Sequence, residues 1–190
     1  MAGDETGIDY SQIYLAIIER YKDYIEEQES ISVAELPRLV SPRNEAVLAK
    51  VDEIKEGLAP YEYNRAFREA CANAFSFVKE RIGNVILPLQ FWFTPEDTLS
   101  FMMGDKLDKS ILLCSMLVAL GNPSAKVLIK TKDEERTILV HYEFLGTTFV
   151  MDIDDGAREF PSKDAMVEWL AIDSETTAYE FNNQSYIDIN

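Results

Sequence analysis

The stretch from Leu107 to Leu120 constrains this chain more than any other. Ile111, Leu112, Leu113, Met116, Leu117, Val118 and Leu120 place apolar side chains on nearly every side of a helix. A helix without a polar stripe belongs at the centre of a domain, covered all round. Gly121-Asn122-Pro123 stops it, since glycine and proline there close a helix rather than extend it. With 190 residues, 47% of them hydrophobic, the chain is long enough for one domain with a sizeable core.

The covering layers can be read on either side. Upstream, Ile13, Ala16, Ile17, Tyr21, Tyr24 and Ile25 fall at helical spacing and predict an amphipathic helix over residues 9–28. Ser41-Pro42 followed by Glu45 predicts a capped helix running to Gly57. Pro60 predicts the start of a third, through Ala66, Phe67, Ala70, Ala74, Phe77 and Val78 to about Ile82. Residues 84–93 read as irregular and aromatic, and Thr94-Pro95-Glu96-Asp97 opens a short helix that Gly104 ends. Downstream, strands are expected over residues 125–131, 136–144 and 147–153, the last two as a hairpin around Leu145-Gly146. A last amphipathic helix is expected over 161–171. The tail from Glu175 reads as polar, with Tyr186-Ile187-Asp188-Ile189 as an edge strand. Helices before strands predict an α+β class.

Lys and Arg number 18 against 34 Asp and Glu, a net charge of −16. Such a surface repels nucleic acid and anionic membranes and suits a basic partner or solubility alone. One histidine excludes zinc sites that need two, and two cysteines, Cys71 and Cys114, do not make a disulfide scaffold. No metal or cofactor is expected. The N-terminus shows no signal peptide, and no apolar run reaches membrane length, so a reducing cytoplasm is the expected setting.

The central helix begins at Gly104-Asp105-Lys106-Leu107-Asp108. Asp105 is placed as N-cap, with Asp108 completing a capping box. Lys106 then falls in the first turn, where the dipole favours negative charge and a thiolate would gain. A lysine there costs about 0.3–1 kcal/mol if exposed. On the hairpin, alternation puts His141 and Asp152 on the less apolar faces. If 144 pairs with 147, His141 lies opposite 150 and Asp152 is a diagonal neighbour. A loop two residues longer would set them face to face, and a three-residue loop on opposite faces.

Nucleophile position, histidine strand, aspartate strand is the order of Cys-His-Asp thiol enzymes. The segments Trp92-Phe93-Thr94-Pro95-Glu96-Asp97-Thr98-Leu99, Gly104-Asp105-Lys106-Leu107-Asp108 and Phe149-Val150-Met151-Asp152 resemble the transglutaminase-like superfamily, over roughly residues 60–160. The resemblance implies a papain-like core, a central buried helix on an antiparallel sheet. Residues 59–190 would form that domain and residues 1–58 a helical extension packed on it. It aligns Lys106, His141 and Asp152 with the family's catalytic cysteine, histidine and aspartate. Lysine thus stands where the sulfur should be, and thioester chemistry is lost with it. Cys114 lies roughly 12 Å further along the helix, too far to substitute. The implied function is non-catalytic binding of a peptide or protein segment, a basic one included, in the former cleft, with Trp92, Asp105 and Asp108 at the binding surface. The alternatives are an amide-processing enzyme of altered mechanism using Lys106, His141 and Asp152, or a scaffold in a larger assembly.

Overall fold

The structure is a computed structural model that describes residues 15, 18–20, 35–85, 92–133, 135–173 and 175–189. Of the helix expected over 9–28, residues 15 and 18–20 are described and are helical; the rest of that expectation lies outside the described residues. The elements are α1 (Leu36–Leu39), α2 (Glu45–Glu56), α3 (Tyr63–Arg81), β1 (Gly83–Asn84), α4 (Pro95–Phe101), β2 (Met103–Gly104), α5 (Lys106–Ala119), β3 (Lys126–Lys132), β4 (Glu135–Phe144), β5 (Thr147–Asp152), β6 (Gly156–Phe160), α6 (Lys163–Trp169), β7 (Thr177–Phe181) and β8 (Tyr186–Ile189).

Six strands form one antiparallel sheet in the order β6-β5-β4-β3-β7-β8. β1 and β2 form a separate two-residue parallel rung, pairing Gly83 with Met103 and Asn84 with Gly104. The fold is therefore α+β, with the buried helix α5 between the sheet and helices α2, α3 and α4. One sheet face carries Val127, Ile129, Ile138, Val140, Tyr142, Phe149 and Met151 into the same core as Ile111, Leu112, Met116 and Leu117 of α5. Leu36, Val40, Val47 and Val51 from the N-terminal helices join this core. The α3 residue Phe67 closes it against Tyr142 and Phe144, at ring distances of 5.4 and 5.1 Å.

The opposite face is thinly covered. Among the described residues Leu128, Leu139 and Val150 form a small buried cluster with Met166 and Leu170 of the α6 segment, flanked by Phe160, Val167, Ile172 and Ile189. Serines inside α5 cost little because their hydroxyls bond back four residues, Ser110 to the Lys106 carbonyl and Ser115 to that of Ile111, both at 2.8 Å.

Two helix starts differ from expectation. α2 opens at Glu45 because Asn44, not Ser41, caps it, accepting from the Ala46 and Val47 amides. α3 opens at Tyr63, three residues past Pro60. Strands β6 and β7 were not foreseen, and β7 lies inside the sheet.

Candidate functional site

The start of α5 is held by reciprocal caps. Asp105 accepts the Asp108 amide at 2.8 Å, and Asp108 accepts the Asp105 amide at 3.0 Å and the Phe93 amide at 2.9 Å. Thr94 and Asp97 cap α4 in the same way. Asp108 is 2% exposed. Burial and the neighbouring Asp105 carboxylate hold its pKa well above the usual carboxylate range, against the two amide bonds. Gly104 leaves room for this arrangement, since a Cβ there would stand 2.9 Å from Asp108 Cβ. Gly104→Ala is accordingly expected to cost about 2 kcal/mol through overpacking, read as a lowered urea midpoint at unchanged slope. An unchanged midpoint would show that the α5 start has slack.

Lys106 does not face open water. Its Nζ lies 2.7 Å from Asp152 Oδ1 and 2.8 Å from Asp154 Oδ2. Asp152 Oδ1 also accepts the Asp154 and Asp155 amides at 2.9 and 3.4 Å, an Asx-type turn that presents both carboxylates to the ammonium. From α3, Lys79 donates to the Asp154 carbonyl at 2.8 Å and anchors that turn. Burial lowers the Lys106 pKa, but hydrogen bonds and charge from Asp152 and Asp154 outweigh it, and the net shift is upward.

His141 is placed elsewhere. Leu145 and Gly146 have φ of 50° and 80°, the two-residue hairpin turn that pairs Phe144 with Thr147 and His141 with Val150. Val150 belongs to the face under α6, so His141 points away from α5. There its Nε2 lies 3.0 Å from Glu180 Oε2, a contact short of hydrogen-bond geometry, and its Nδ1 has no hydrogen-bond partner among the described residues. The geometry thus joins Lys106 to Asp152, while His141, whose diagonal neighbour on the hairpin is Asp152, lies against Glu180. Trp92 is half-buried against the main core. Asp105 and Asp108 are occupied as caps.

Sequence reasoning missed three participants. Asp154 shares the Lys106 ammonium. Lys109, one turn on, donates to Asn84 Oδ1 at 2.5 Å. Glu180 is fully buried and receives Lys126 and Lys163 at 2.5 and 2.7 Å besides His141. The first was legible as a second aspartate beyond the strand end; nothing local marks the other two.

Both cysteines are free and buried. Burial pushes both Cys71 and Cys114 up to about 12. Among the described residues no group of three or more His, Cys, Asp or Glu could hold a metal ion. No described helix is long and apolar enough to cross a membrane. A described pocket of about 390 Å³ lies away from the α5 start, where α2 passes into α3, lined by Gly57, Pro60, Glu62, Arg65 and Glu69 among others.

A central helix packed on an antiparallel sheet is the fold that the resemblance to transglutaminase-like proteins implies. Solved structures of Legionella pneumophila LapG share it. The EGTA-treated form aligns with a TM-score of 0.54 at 13% identity, covering 84% of this chain and 87% of that one. A second LapG structure gives 0.53 at 14%, and the calcium-bound form 0.52 at 14%, each covering 82% and 87%. At these identities the likeness is one of fold. No protein-family model and no curated protein sequence matches the chain.

Proposed function

We propose that this protein is a non-catalytic member of the transglutaminase-like superfamily that binds a peptide or protein segment of basic character where α5 begins. The observation that carries this reading is the ion-pair lock on Lys106. At the position that the resemblance aligns with the family's nucleophile stands an ammonium shared by Asp152 and Asp154, which is not readily deprotonated to attack a carbonyl. The amide-processing alternative that uses Lys106, His141 and Asp152 together needs a deprotonated Lys106, which the hydrogen bonds and charges of Asp152 and Asp154 disfavour. Asp105, Asp154 and the exposed Asp155 leave a surface that attracts Lys or Arg side chains, while the overall charge of −16 speeds encounter with any cationic segment.

The test must separate this site from general attraction. A fluorescent arginine-rich peptide is titrated against the protein, against Asp105→Asn with Asp154→Asn, and against Glu53→Gln with Glu56→Gln on α2, which changes net charge equally. The site pair is expected to weaken binding about tenfold, roughly 1.4 kcal/mol, and the α2 pair much less. Equal losses would reduce the binding to nonspecific charge, and peptide cleavage or transamidation would overturn the non-catalytic reading.

A further inference from the structure

Residues 161–172 lie on the sheet face opposite α5 and cover it lightly. Of α6 itself only Met166 is buried. Leu170 is 5% exposed, and Val167 and Ile172 are partly buried beside them. Trp169 stays 43% exposed, resting on Phe160 and under the Arg158 guanidinium. Two lysines tether the segment: Lys163 Nζ reaches Glu180 Oε1 at 2.7 Å, and Lys130 donates to the Leu170 carbonyl at 2.6 Å. Just past the helix, Ala171 holds a φ of 50°, which crowds its Cβ. On the same face lies His141, the chain's one histidine, 2% exposed. Among the described residues neither of its ring nitrogens has a hydrogen-bond partner, nor has the Glu180 Oε2 beside it. Buried polar atoms left so raise the free energy of the closed form, and water would satisfy all three. Lifting the segment gives up a few apolar contacts and its tethers, and gains hydration of these atoms and relief at Ala171. Global unfolding must expose the whole core around α5. Openings of such unequal cost are separate events.

We propose that residues 161–172 form a strap that opens as a unit and gates access to His141, with the Lys163–Glu180 ion pair as its latch. The device goes beyond the segment-binding reading and does not rest on it. The Ser162 hydroxyl caps α6 by accepting the Ala165 amide, so cap and helix move as one piece and the flexing falls on either side of them, at Ala171 among other residues. Closed, neither the imidazole nor the Glu180 carboxylate reaches solvent. Open, the sheet presents the two side by side, with Lys126 still on Glu180 Oε1 at 2.5 Å. The main core is untouched in both states.

The test follows two rates in the whole chain at pH 7: carbethoxylation of His141 by diethyl pyrocarbonate, read by peptide mass spectrometry, and amide hydrogen exchange in α6 and β4. In wild type the His141 rate and the α6 exchange are expected to share one shallow urea dependence, while Leu139 and Val140 of β4 follow the steep one of global unfolding. Val51→Ala on α2 weakens the core around α5, which stays intact when the strap lifts. It is expected to speed the β4 exchange about tenfold and to leave the His141 rate and the α6 exchange unchanged. Lys163→Met removes the latch at similar side-chain length and is expected to speed both strap readouts about tenfold. If a variant does not fold, the urea dependence of wild type decides. A His141 rate as steep in urea as the β4 exchange, or speeded equally by Val51→Ala, would overturn the strap. A native rate equal to that of the urea-unfolded chain would show that nothing covers His141 and would overturn it too. Strap readouts unmoved by Lys163→Met would overturn the latch.

Discussion

Replacing Glu180 by alanine is expected to lower the unfolding free energy by about 4 kcal/mol, the range for removing one partner of a buried charge cluster. For a chain of this length that is a fall in Tm of about 10 °C. Glu180 is 0% exposed and ties four elements together: β7, which carries it, β3 through Lys126, β4 through His141 and α6 through Lys163. Without it, two ammonium groups face each other over a small apolar patch, and α6 has little else to hold it. Lys130 still caps the helix segment at the Leu170 carbonyl, at 2.6 Å. Glu180→Gln keeps one acceptor and is expected to cost about half as much. The pH dependence has a definite sign. Burial raises the Glu180 pKa, but contacts from His141, Lys126 and Lys163 outweigh it and hold it below the usual 4.5. A lowered folded-state value means a contribution fully present above the unfolded pKa and lost as pH falls through the folded one. The gap between wild type and Glu180→Gln should be constant from pH 5 to 8 and shrink toward pH 3. Tryptophan fluorescence from Trp169, packed on Phe160 at 5.2 Å, should report the α6 end of the transition. A loss under 1 kcal/mol for the alanine variant would mean the cluster is solvated and α6 is held by apolar contact alone.

Much of the architecture was legible because it follows from one-dimensional rules. α5 has no polar stripe, so its central place could be read without knowing what surrounds it. The hairpin could be read from Leu145-Gly146, and the observed register is one of those its loop length allowed. The helix start at Thr94 and the capping box at Asp105 were legible from spacing, and both starts carry a capping box with both bonds. What stayed hidden depends on distant partners. Ser41 looked like a helix cap, but its amide instead reaches Ser115 of α5 at 3.0 Å. The strand Thr177–Phe181 looked like polar tail because its one charge, Glu180, is buried against lysines far upstream. His141 could be assigned to the less apolar face of its strand. That the face belongs to α6 rather than α5 follows only once β7 is seen to flank β3.

Asp108→Ala is expected to cost about 3 kcal/mol, and its pH dependence should run opposite to that of Glu180. The alanine leaves the Phe93 and Asp105 amides without the acceptors they now have at 2.9 and 3.0 Å, and each buried N–H so abandoned costs about 1–3 kcal/mol. The Asp105 carboxylate still caps the residue-108 amide, so α5 keeps half its capping box and the helix itself should persist. The loss falls on the junction between the Trp92–Thr94 segment and the helix start, which sets where Lys106 emerges. Asp108→Asn retains an oxygen for Phe93 but turns an amide toward the Asp105 N–H, and about half the cost is expected. Burial, and then repulsion from Asp105, raise the folded-state pKa of Asp108 well above 3.8. A raised value gives stability that is complete below the unfolded pKa and lost as pH rises through the folded one. The penalty of Asp108→Asn should therefore be largest near pH 3 and shrink toward neutrality, while that of Glu180→Gln grows over the same interval. Urea unfolding of the two asparagine and glutamine variants beside wild type at pH 3.5, 5 and 7 reads both slopes in one series. Should the Asp108→Asn penalty grow with pH instead, the two amide bonds dominate over burial, and Asp108 is a fully ionised cap at the working pH of the site.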